Sequence, residues 1–263
     1  MDFSISKIKA FKSCRRMYEF KYIEGLYPVQ KAEALEIGSN YHKLLERLNK
    51  GEDIVWEFTK EMAMARAYQN IIYPKFKVVE VEKPLSYDLG DGNKLVGIAD
   101  GIAADGHIVE HKTYGGTDSM EQYEFNLQWD EQILAYMLMT GMRKVWYTVC
   151  RKPTIRLKKD ETDEQFFYRM LDWYEEKPDE RMRLFEIERT DAEVAEFEAN
   201  LMMMADEICN TGYFYKNTCN CNMYGRRCEY SSVCLHYDPN AQYVEFTKED
   251  VDVLPEFAER GLF

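Results

Sequence analysis

The chain has 263 residues, of which 46% are hydrophobic, and its formal net charge is −13. This length and composition suffice for a substantial core, whereas the acidic balance argues against a protein that coats nucleic acid through bulk electrostatics. Apolar stretches such as residues 133–138 are too short to cross a bilayer, and the N-terminus lacks the apolar core of a signal peptide. We therefore expect a cytoplasmic protein with no membrane partner.

Basic residues concentrate in two segments of this acidic chain. Residues 1–22 carry six basic and two acidic residues, and residues 143–159 carry seven basic residues and no acidic one. Such segments could meet a phosphate backbone locally. They are equally expected on the solvated faces of unrelated elements, so charge alone leaves both interpretations open.

Apolar periodicity predicts helices first and a small sheet afterwards. A first helix opens after a Ser4 cap and is interrupted or re-aimed near Cys14. The later predicted helices cover residues 34–49, which Gly51 ends, 54–70, 127–140, which Gly141 ends, 162–176 and 191–209. The predicted strands cover residues 76–87, 94–103, 107–113, 144–150 and 182–188.

This order of elements predicts an α/β fold: a mixed central β-sheet flanked by helices, with a helical N-terminal part and a C-terminal cysteine-rich cluster segment. No Pro/Gly/Ser-rich linker and no repeat marks a boundary, so we expect a single domain. We divide residues 1–263 into a helical N-terminal part (1–75), an α/β core (76–190), a C-terminal helix with the cysteine segment (191–237) and a tail (238–263).

Two carboxylates and a lysine lie on neighbouring predicted strands. Glu110 and Lys112 are two residues apart and share one face of a strand, and the turn before that strand can bring Asp100 beside Glu110. Two clustered carboxylates need a cation, and hard oxygen ligands suit Mg²⁺ or Mn²⁺. A lysine beside such a metal can orient a water or stabilise charge on a phosphate, which is the chemistry of phosphodiester hydrolysis. By itself this short spacing favours the plainer interpretation of an exposed cross-strand pair.

The residues that surround the trio carry a resemblance. In chain order they are Ser4, Cys14, Tyr18, Tyr22, Gly38-x-x-x-His42, Gly97-x-x-Asp100, Glu110-x-Lys112, Gln132-x-x-x-Tyr136 and the clustered cysteines. This order resembles the RecB-type branch of the PD-(D/E)xK nucleases, and more closely its iron–sulfur members, found in CRISPR adaptation, in helicase–nucleases and among phage exonucleases. The resemblance runs from about residue 4 to residue 237 and implies a restriction-endonuclease-like core.

The resemblance implies a role for each matching residue of the trio and its flanks. His42, Asp100 and Glu110 would bind the catalytic metal together with the backbone carbonyl of His111, and Lys112 would be the catalytic lysine. An imidazole beside two carboxylates would shift the preference of the site towards Mn²⁺.

A helical pair completes the implied catalytic set. Gln132 and Tyr136 are four residues apart on one helix face, and in the family this pair faces the active site and the DNA backbone. Ala99 stands where the family name has its proline. That position varies within this branch, so the departure changes little.

Four of the seven cysteines lie within sixteen residues near the C-terminus. In a reducing compartment such a group indicates a bound metal or cluster. Zinc held by Cys219, Cys221, Cys228 and Cys234 is one option. A single residue between the first two cysteines is, however, a shorter spacing than tetrahedral zinc sites usually have. The resemblance implies instead a [4Fe–4S] cluster on Cys14, Cys221, Cys228 and Cys234, with Cys219 as the reserve ligand.

A cluster that joined the two ends of the chain would also gather basic side chains into a local phosphate-binding surface. The residues expected there are Lys12, Arg15, Arg16, Arg226 and Arg227. No motif resembles base-edge readout, so we expect no sequence specificity. The expected substrate is DNA that is single-stranded or has free ends, and the expected protein partner is a helicase, a recombinase or a single-strand-binding protein.

Together these observations predict a metal-dependent DNA exonuclease of recombination, repair or phage DNA processing, acting in the cytoplasm of a bacterial cell or of a phage host. Two alternatives stay open. The fold and an iron–sulfur or zinc site could persist in a scaffold that serves a helicase, recombinase or integrase, or the chain could be a zinc-binding regulatory module without catalysis. The intact trio of Asp100, Glu110 and Lys112 weighs against the scaffold.

Overall fold

A computed structural model describes residues 1–28, 33–223, 226–235 and 243–245. The helices are α1 (Ile5–Ser13), α2 (Arg15–Tyr22), α3 (Glu33–Asn49), α4 (Lys60–Ile71), α5 (Met120–Asn126), α6 (Glu131–Thr140), α7 (Asp163–Glu176), α8 (Pro178–Arg181), α9 (Asp191–Asn210) and α10 (Ser231–Cys234). The strands are β1 (Asp2–Phe3), β2 (Leu26–Pro28), β3 (Val78–Gly90), β4 (Asn93–Ala103), β5 (Ile108–Tyr114), β6 (Lys144–Arg151), β7 (Met182–Glu188), β8 (Asn222–Met223), β9 (Arg226–Arg227) and β10 (Tyr243–Glu245).

Local capping decides where the N-terminal helices begin and end. The Ser4 hydroxyl accepts the Lys7 N–H at 3.1 Å and opens α1. Cys14 then adopts an extended backbone, so a new helix starts at the next residue. The helix predicted over residues 54–70 begins only at Lys60, because the Thr59 hydroxyl caps it by accepting the Met62 N–H.

Contacts along the chain divide it into two compact units. The first, here called the sheet unit, comprises residues 32–85 and 98–195, and the second, the terminal unit, comprises residues 1–31, 86–97 and 196–263. Both are assembled from separated segments of the chain. The expectation of one functional domain over the whole length stays a prediction.

The sheet unit contains a mixed β-sheet. Strand β3 pairs with β4, and β4 runs antiparallel to β5, with Gly101 opposite Val109. Strand β5 then runs parallel to β6, and β6 antiparallel to β7. A parallel pair needs a crossover connection, which the segment containing α5 and α6 supplies. The predicted α/β class with a mixed central sheet and flanking helices is confirmed.

Helices cover both faces of this sheet. On one face, α3, α4 and α7 pack a core that includes Tyr41, Met64 and Tyr174 against Cys150. On the other face, α6 contributes to a second core that includes Val145, Tyr147, Val149, Ile133 and Met137. Because the middle of β5 lies between these cores, polar side chains there are removed from water. No helix in the described ranges combines the length and the apolar content that crossing a membrane requires.

The terminal unit is held together by contacts between its early and late segments. Strand β2 pairs antiparallel with β10, and β8 with β9. The buried Tyr230 ring stacks on Phe20 and Tyr243, and its hydroxyl donates to the Leu26 carbonyl at 2.9 Å. These contacts bring the cysteine-rich segment beside α2.

Gly101, the residue that follows Asp100 on β4, tests how tightly β3 packs against β4. A Cβ atom there would lie 2.6 Å from Val78 Cγ1 and 2.8 Å from the Glu80 carbonyl oxygen. We expect Gly101→Ala to lower the free energy of unfolding by about 1–3 kcal/mol, since the backbone oxygen cannot easily move aside. Urea unfolding of the variant measures this.

Gly212→Ala is the matched control for that measurement, because a Cβ atom at Gly212 would meet nothing within 4 Å. Its free energy of unfolding should stay within about 1 kcal/mol of the parent value. A Gly101→Ala protein as stable as the control would contradict the steric argument.

Candidate active site

Asp100 and Glu110 occupy adjacent positions on two antiparallel strands. Since Gly101 pairs with Val109, the next pair in register is Asp100 on β4 with Glu110 on β5. Their exposed fractions are only 4% and 2%. The backbone N–H of His111 donates to Asp100 Oδ2 at 2.7 Å and holds that carboxylate in place. Two buried carboxylates therefore lie side by side in the sheet unit.

His42 reaches this pair from α3. Its Nδ1 atom lies 3.5 Å from Asp100 Oδ1, and its side chain is 26% exposed. The ring is held edge-on against the buried Tyr41 ring. The structure thus brings together the three side chains that the sequence nominated as metal ligands, two buried and one at the edge of the core.

A chain of hydrogen bonds leads from Glu110 back to the sheet. The Lys112 ammonium donates to the Glu110 carboxylate and, at 3.1 Å, to Gln132 Oε1. The Gln132 amide donates to the Tyr136 hydroxyl at 2.7 Å, and that hydroxyl donates to the Ile98 carbonyl at 2.6 Å. Because each group has a defined partner, the position of the Lys112 ammonium is tied to the backbone of β4.

Asp130 orients the helix that carries Gln132, a role that the sequence analysis did not assign. As the N-cap of α6, Asp130 accepts the Gln132 N–H through Oδ1 at 3.0 Å. Its other oxygen lies 3.4 Å from the Tyr147 hydroxyl. The signal was present in the sequence, since an aspartate immediately before an apolar helical run is a favoured cap.

The side chain of His111 points away from the carboxylates. Its Nδ1 atom lies 2.7 Å from the Thr148 hydroxyl, and the ring packs edge-on against Tyr68. Burial lowers the pKa of His111 to about 4, so the ring is neutral near pH 7. The resemblance implied a ligand role only for the backbone carbonyl of His111. Its side chain packs on the opposite face of β5.

Burial also controls the charges of the central pair. The pKa of Glu110 rises from 4.5 to about 7, chiefly because of burial; the Lys112 ammonium opposes this change and the Asp100 carboxylate adds to it. For Lys112, burial works against the charged form, but Glu110 and Asp100 together raise its pKa above the usual value. Near neutral pH the site therefore holds a proton that a cation could displace.

The donor set fits a hard divalent cation. Within the described residues no group of three or more His, Cys, Asp or Glu side chains is already arranged to hold an ion. Glu110 Oε2 is buried beside the carboxylate of Asp100, and among the described residues it has no hydrogen-bond partner. Buried carboxylate oxygen that lacks a donor is expected where a metal binds, and Mg²⁺ or Mn²⁺ suits two carboxylates with an imidazole.

The cysteines nominated for a cluster line one pocket of the terminal unit. Cys14, Cys221, Cys228 and Cys234 surround it together with Arg16, and we call it the cysteine pocket. The Cys14 sulfur accepts the Asn217 N–H at 3.3 Å, and the Cys228 N–H donates to the Cys221 carbonyl at 2.9 Å.

Burial raises the pKa values of Cys228 and Cys234, and the neighbouring Cys14 and Cys221 thiols raise both further. Cys219 is exposed instead of lining this pocket. Four of the five nominated cysteines are therefore close enough to affect each other electrostatically.

The nominated basic residues have mixed surroundings. Arg15 pairs with Glu207 and lies over the Phe11 and Tyr215 rings, and Arg16 pairs with Glu19. These carboxylates offset much of the charge that was expected to bind phosphate. Lys12 and Arg227 are exposed, whereas the Arg226 side chain lies outside the described residues. The phosphate-binding role of this group stays a prediction.

Comparison with known proteins identifies the family that this sequence matches. Residues 2–235 match the sequence pattern of the PD-(D/E)XK nuclease superfamily. No curated protein matches the chain. Among solved structures, a candidate exonuclease from Eubacterium rectale is similar at 15% identity and a TM-score of 0.52, covering 95% of this chain and 92% of that one.

Two further exonuclease structures align at lower scores. An alkaline exonuclease from Laribacter hongkongensis has 16% identity and a TM-score of 0.38, covering 79% of this chain and 87% of that one. A phage-related exonuclease from Haemophilus somnus has 13% identity and a TM-score of 0.36, covering 72% of this chain and 90% of that one.

The pKa of Glu110 predicts how the stability of the metal-free protein depends on pH. A carboxyl group whose pKa rises from 4.5 to about 7 on folding stabilises the folded state below pH 4.5, and this contribution disappears as the pH rises through about 7. In the presence of a chelator, the melting temperature of the wild-type protein should therefore fall, relative to that of Glu110→Gln, between about pH 5 and pH 8.

Adding Mn²⁺ should raise the wild-type melting temperature more at pH 8 than at pH 6, because protons compete with the cation for Glu110. Parallel pH curves for the wild-type protein and Glu110→Gln would show that the carboxyl group titrates normally.

Proposed function

Because the chain belongs to the PD-(D/E)XK nuclease superfamily, we propose that it is an Mg²⁺- or Mn²⁺-dependent deoxyribonuclease that degrades DNA from an end. The observation that carries this proposal is the burial of Asp100 and Glu110 side by side with the Lys112 ammonium on Glu110. Burying two carboxylates costs stability unless a cation compensates their charge, and such costly arrangements are found mainly at functional sites.

His42, Asp100 and Glu110 would hold the metal ion, joined by the His111 carbonyl. When bound, the ion would supply Lewis acidity at the scissile phosphate and at the attacking water. Asp100 is held for this role by the His111 N–H, so its second oxygen faces His42. The sheet core behind the carboxylates excludes water from one side of the site, which strengthens each electrostatic interaction there.

Lys112 would act on the phosphate and on the water. Its ammonium is directed by Glu110 and Gln132, and it can donate to the negative charge that develops on the phosphoryl group. The Gln132 and Tyr136 side chains keep that ammonium in position through the bond to the Ile98 carbonyl. Catalysis of this kind depends on preorganised donors.

Exonuclease action on single-stranded DNA or DNA with free ends is the finer part of the proposal. The structurally similar protein from Eubacterium rectale carries the name of a candidate exonuclease, which agrees with it. The proposed setting is recombination, repair or phage DNA processing, with a helicase, recombinase or single-strand-binding protein as the partner that supplies ends or single strands.

Substitutions at Asp100 and Lys112 test the nuclease. Asp100→Asn and Lys112→Met should each reduce cleavage of end-labelled linear DNA by about 100-fold or more, because they remove a metal ligand and the phosphate-facing cation. Lys177→Met, which changes an exposed lysine paired with Glu180, should cleave at the wild-type rate.

Circular DNA and chelator complete that experiment. An exonuclease leaves a closed circle intact, and loss of Mg²⁺ or Mn²⁺ should stop cleavage of the linear substrate. Cleavage that survives in both Asp100→Asn and Lys112→Met would sink the proposal.

We also infer that the cysteine pocket holds a [4Fe–4S] cluster on Cys14, Cys221, Cys228 and Cys234. What supports this inference is that these four thiols line one pocket while Cys219 is exposed. Cluster binding would join the α1–α2 junction to the C-terminal segment and would be chiefly structural.

Anaerobically purified protein should contain iron and sulfide and absorb broadly at about 400 nm. Cys14→Ser should lose this absorbance, because it removes the ligand from the N-terminal segment, whereas Cys219→Ser should keep it. Stoichiometric zinc without absorbance, or equal loss in both variants, would argue against the assignment.

A further inference from the structure

His111 is held from two sides of the strand β5. Its backbone N–H donates to Asp100 Oδ2 at 2.7 Å, and its ring Nδ1 atom lies 2.7 Å from the Thr148 hydroxyl oxygen. The ring also packs edge-on against Tyr68 of α4, with the two ring centroids 5.2 Å apart. His111, Thr148 and Tyr68 are all buried. One residue therefore connects the Asp100 carboxylate with the core on the far face of the sheet.

The hydroxyl of Thr148 stands in an otherwise apolar environment. Thr148 and His111 are paired positions of the parallel strands β5 and β6, so their side chains project to the same face. The buried residues around Thr148 on β6 are Val145, Tyr147, Val149 and Cys150. A valine would fill the same space without the cost of burying a hydroxyl, and that cost is met by the hydrogen bond to the imidazole. The contact with His111 is thus what this position gains from threonine.

The peptide groups of His111 face β4. In a β-strand the N–H and the carbonyl of one residue point to the same neighbouring strand, and the His111 N–H reaches Asp100 on β4. The register of β4 with β5 pairs Ile102 with Ile108 and Gly101 with Val109. At His111 the Asp100 side chain then accepts the bond in place of a strand carbonyl. A rotation of β5 about its axis would move the His111 N–H and carbonyl together.

We propose that Thr148 is a positioning residue of the metal site. By holding the His111 ring on the far face of β5, its hydroxyl fixes the peptide groups of His111, which bind Asp100 and which would bind the ion. The inference rests on the proposed function, and specifically on its metal site. Groups that orient metal ligands from behind contribute about 10- to 100-fold to metal affinity or activity.

Mn²⁺ binding to Thr148→Val tests this role without requiring cleavage. Valine keeps the shape of the side chain, so the His111 ring loses its partner and no cavity forms. Electron paramagnetic resonance of the free ion gives the association constant, and Asp100→Asn gives the background of binding elsewhere on the chain. Thr148→Val should weaken the Asp100-dependent binding about 10-fold. Thr148→Ser keeps the hydroxyl and should restore most of the affinity.

Val145→Ala separates positioning from general stability. Val145 is a buried residue of the same strand, it is paired with Ile108, and it contributes to the core on the opposite face. Both Val145→Ala and Thr148→Val should lower the melting temperature in chelator by several degrees. Only Thr148→Val should weaken Mn²⁺ binding. Equal weakening in the two variants would assign the effect to a loosened sheet and overturn the proposal.

A double-mutant cycle shows whether Thr148 acts through the His111 ring. His111→Leu removes the imidazole and keeps the backbone groups. In that background, adding Thr148→Val should change the Mn²⁺ affinity less than about twofold, because the contact has already been lost. A full 10-fold loss in both backgrounds would show that Thr148 acts by another route, against the proposal.

The same measurements distinguish a failure of this role from a failure of the nuclease. A wild-type protein that binds Mn²⁺ through Asp100 but cleaves no DNA would overturn the nuclease and leave the positioning role in place. A cleaving enzyme whose Thr148→Val variant binds Mn²⁺ as the wild type does would do the reverse. A wild-type protein without Asp100-dependent Mn²⁺ binding would overturn both.

Discussion

The burial of two carboxylates in adjacent strands is the constraint on which the rest of the site depends. Asp100 and Glu110 are almost completely removed from water, and like charges on paired positions of adjacent strands disfavour each other. The protein meets this cost with the His111 N–H, the Lys112 ammonium and the imidazole of His42. Each of these groups comes from an element whose position is set by the cores on the two faces of the sheet. The packing of the two cores therefore also positions the groups that compensate the charges of Asp100 and Glu110.

The same arrangement sets the stability of the fold against the proposed metal binding at this position. A pKa of about 7 for Glu110 means that this carboxyl group is partly protonated near neutral pH in the metal-free folded protein. Replacing Glu110 by a neutral residue would relieve the fold and remove one of the proposed metal ligands. The chain keeps the costly carboxylate and surrounds it with a hydrogen-bond chain that ends on the Ile98 carbonyl.

Much of this could be predicted because the relevant signals are local. Alternation along β4 and β5 placed Glu110 with Lys112, and helical spacing placed Gln132 with Tyr136. The contact of His111 with Thr148 could not be predicted, because it depends on the register of two parallel strands that are far apart in sequence. The two-residue strand β1 is too short to show a period. The grouping of the four pocket cysteines came from a family resemblance, since no spacing relates residue 14 to residue 221.

The discontinuity of the two units has a consequence for synthesis on the ribosome. All residues of the sheet unit are translated by residue 195, whereas Ser13 must wait for Asn217 and Asn220, whose side-chain amides donate to its carbonyl. At about 5–20 residues per second, the roughly 22 residues between residue 195 and Asn217 take about 1–5 s to translate. During this interval the nascent chain has every residue of its carboxylate site, while the Cys14 thiol still lacks its late neighbours. The order of the chain thus separates in time the completion of the carboxylate site from the completion of the terminal unit.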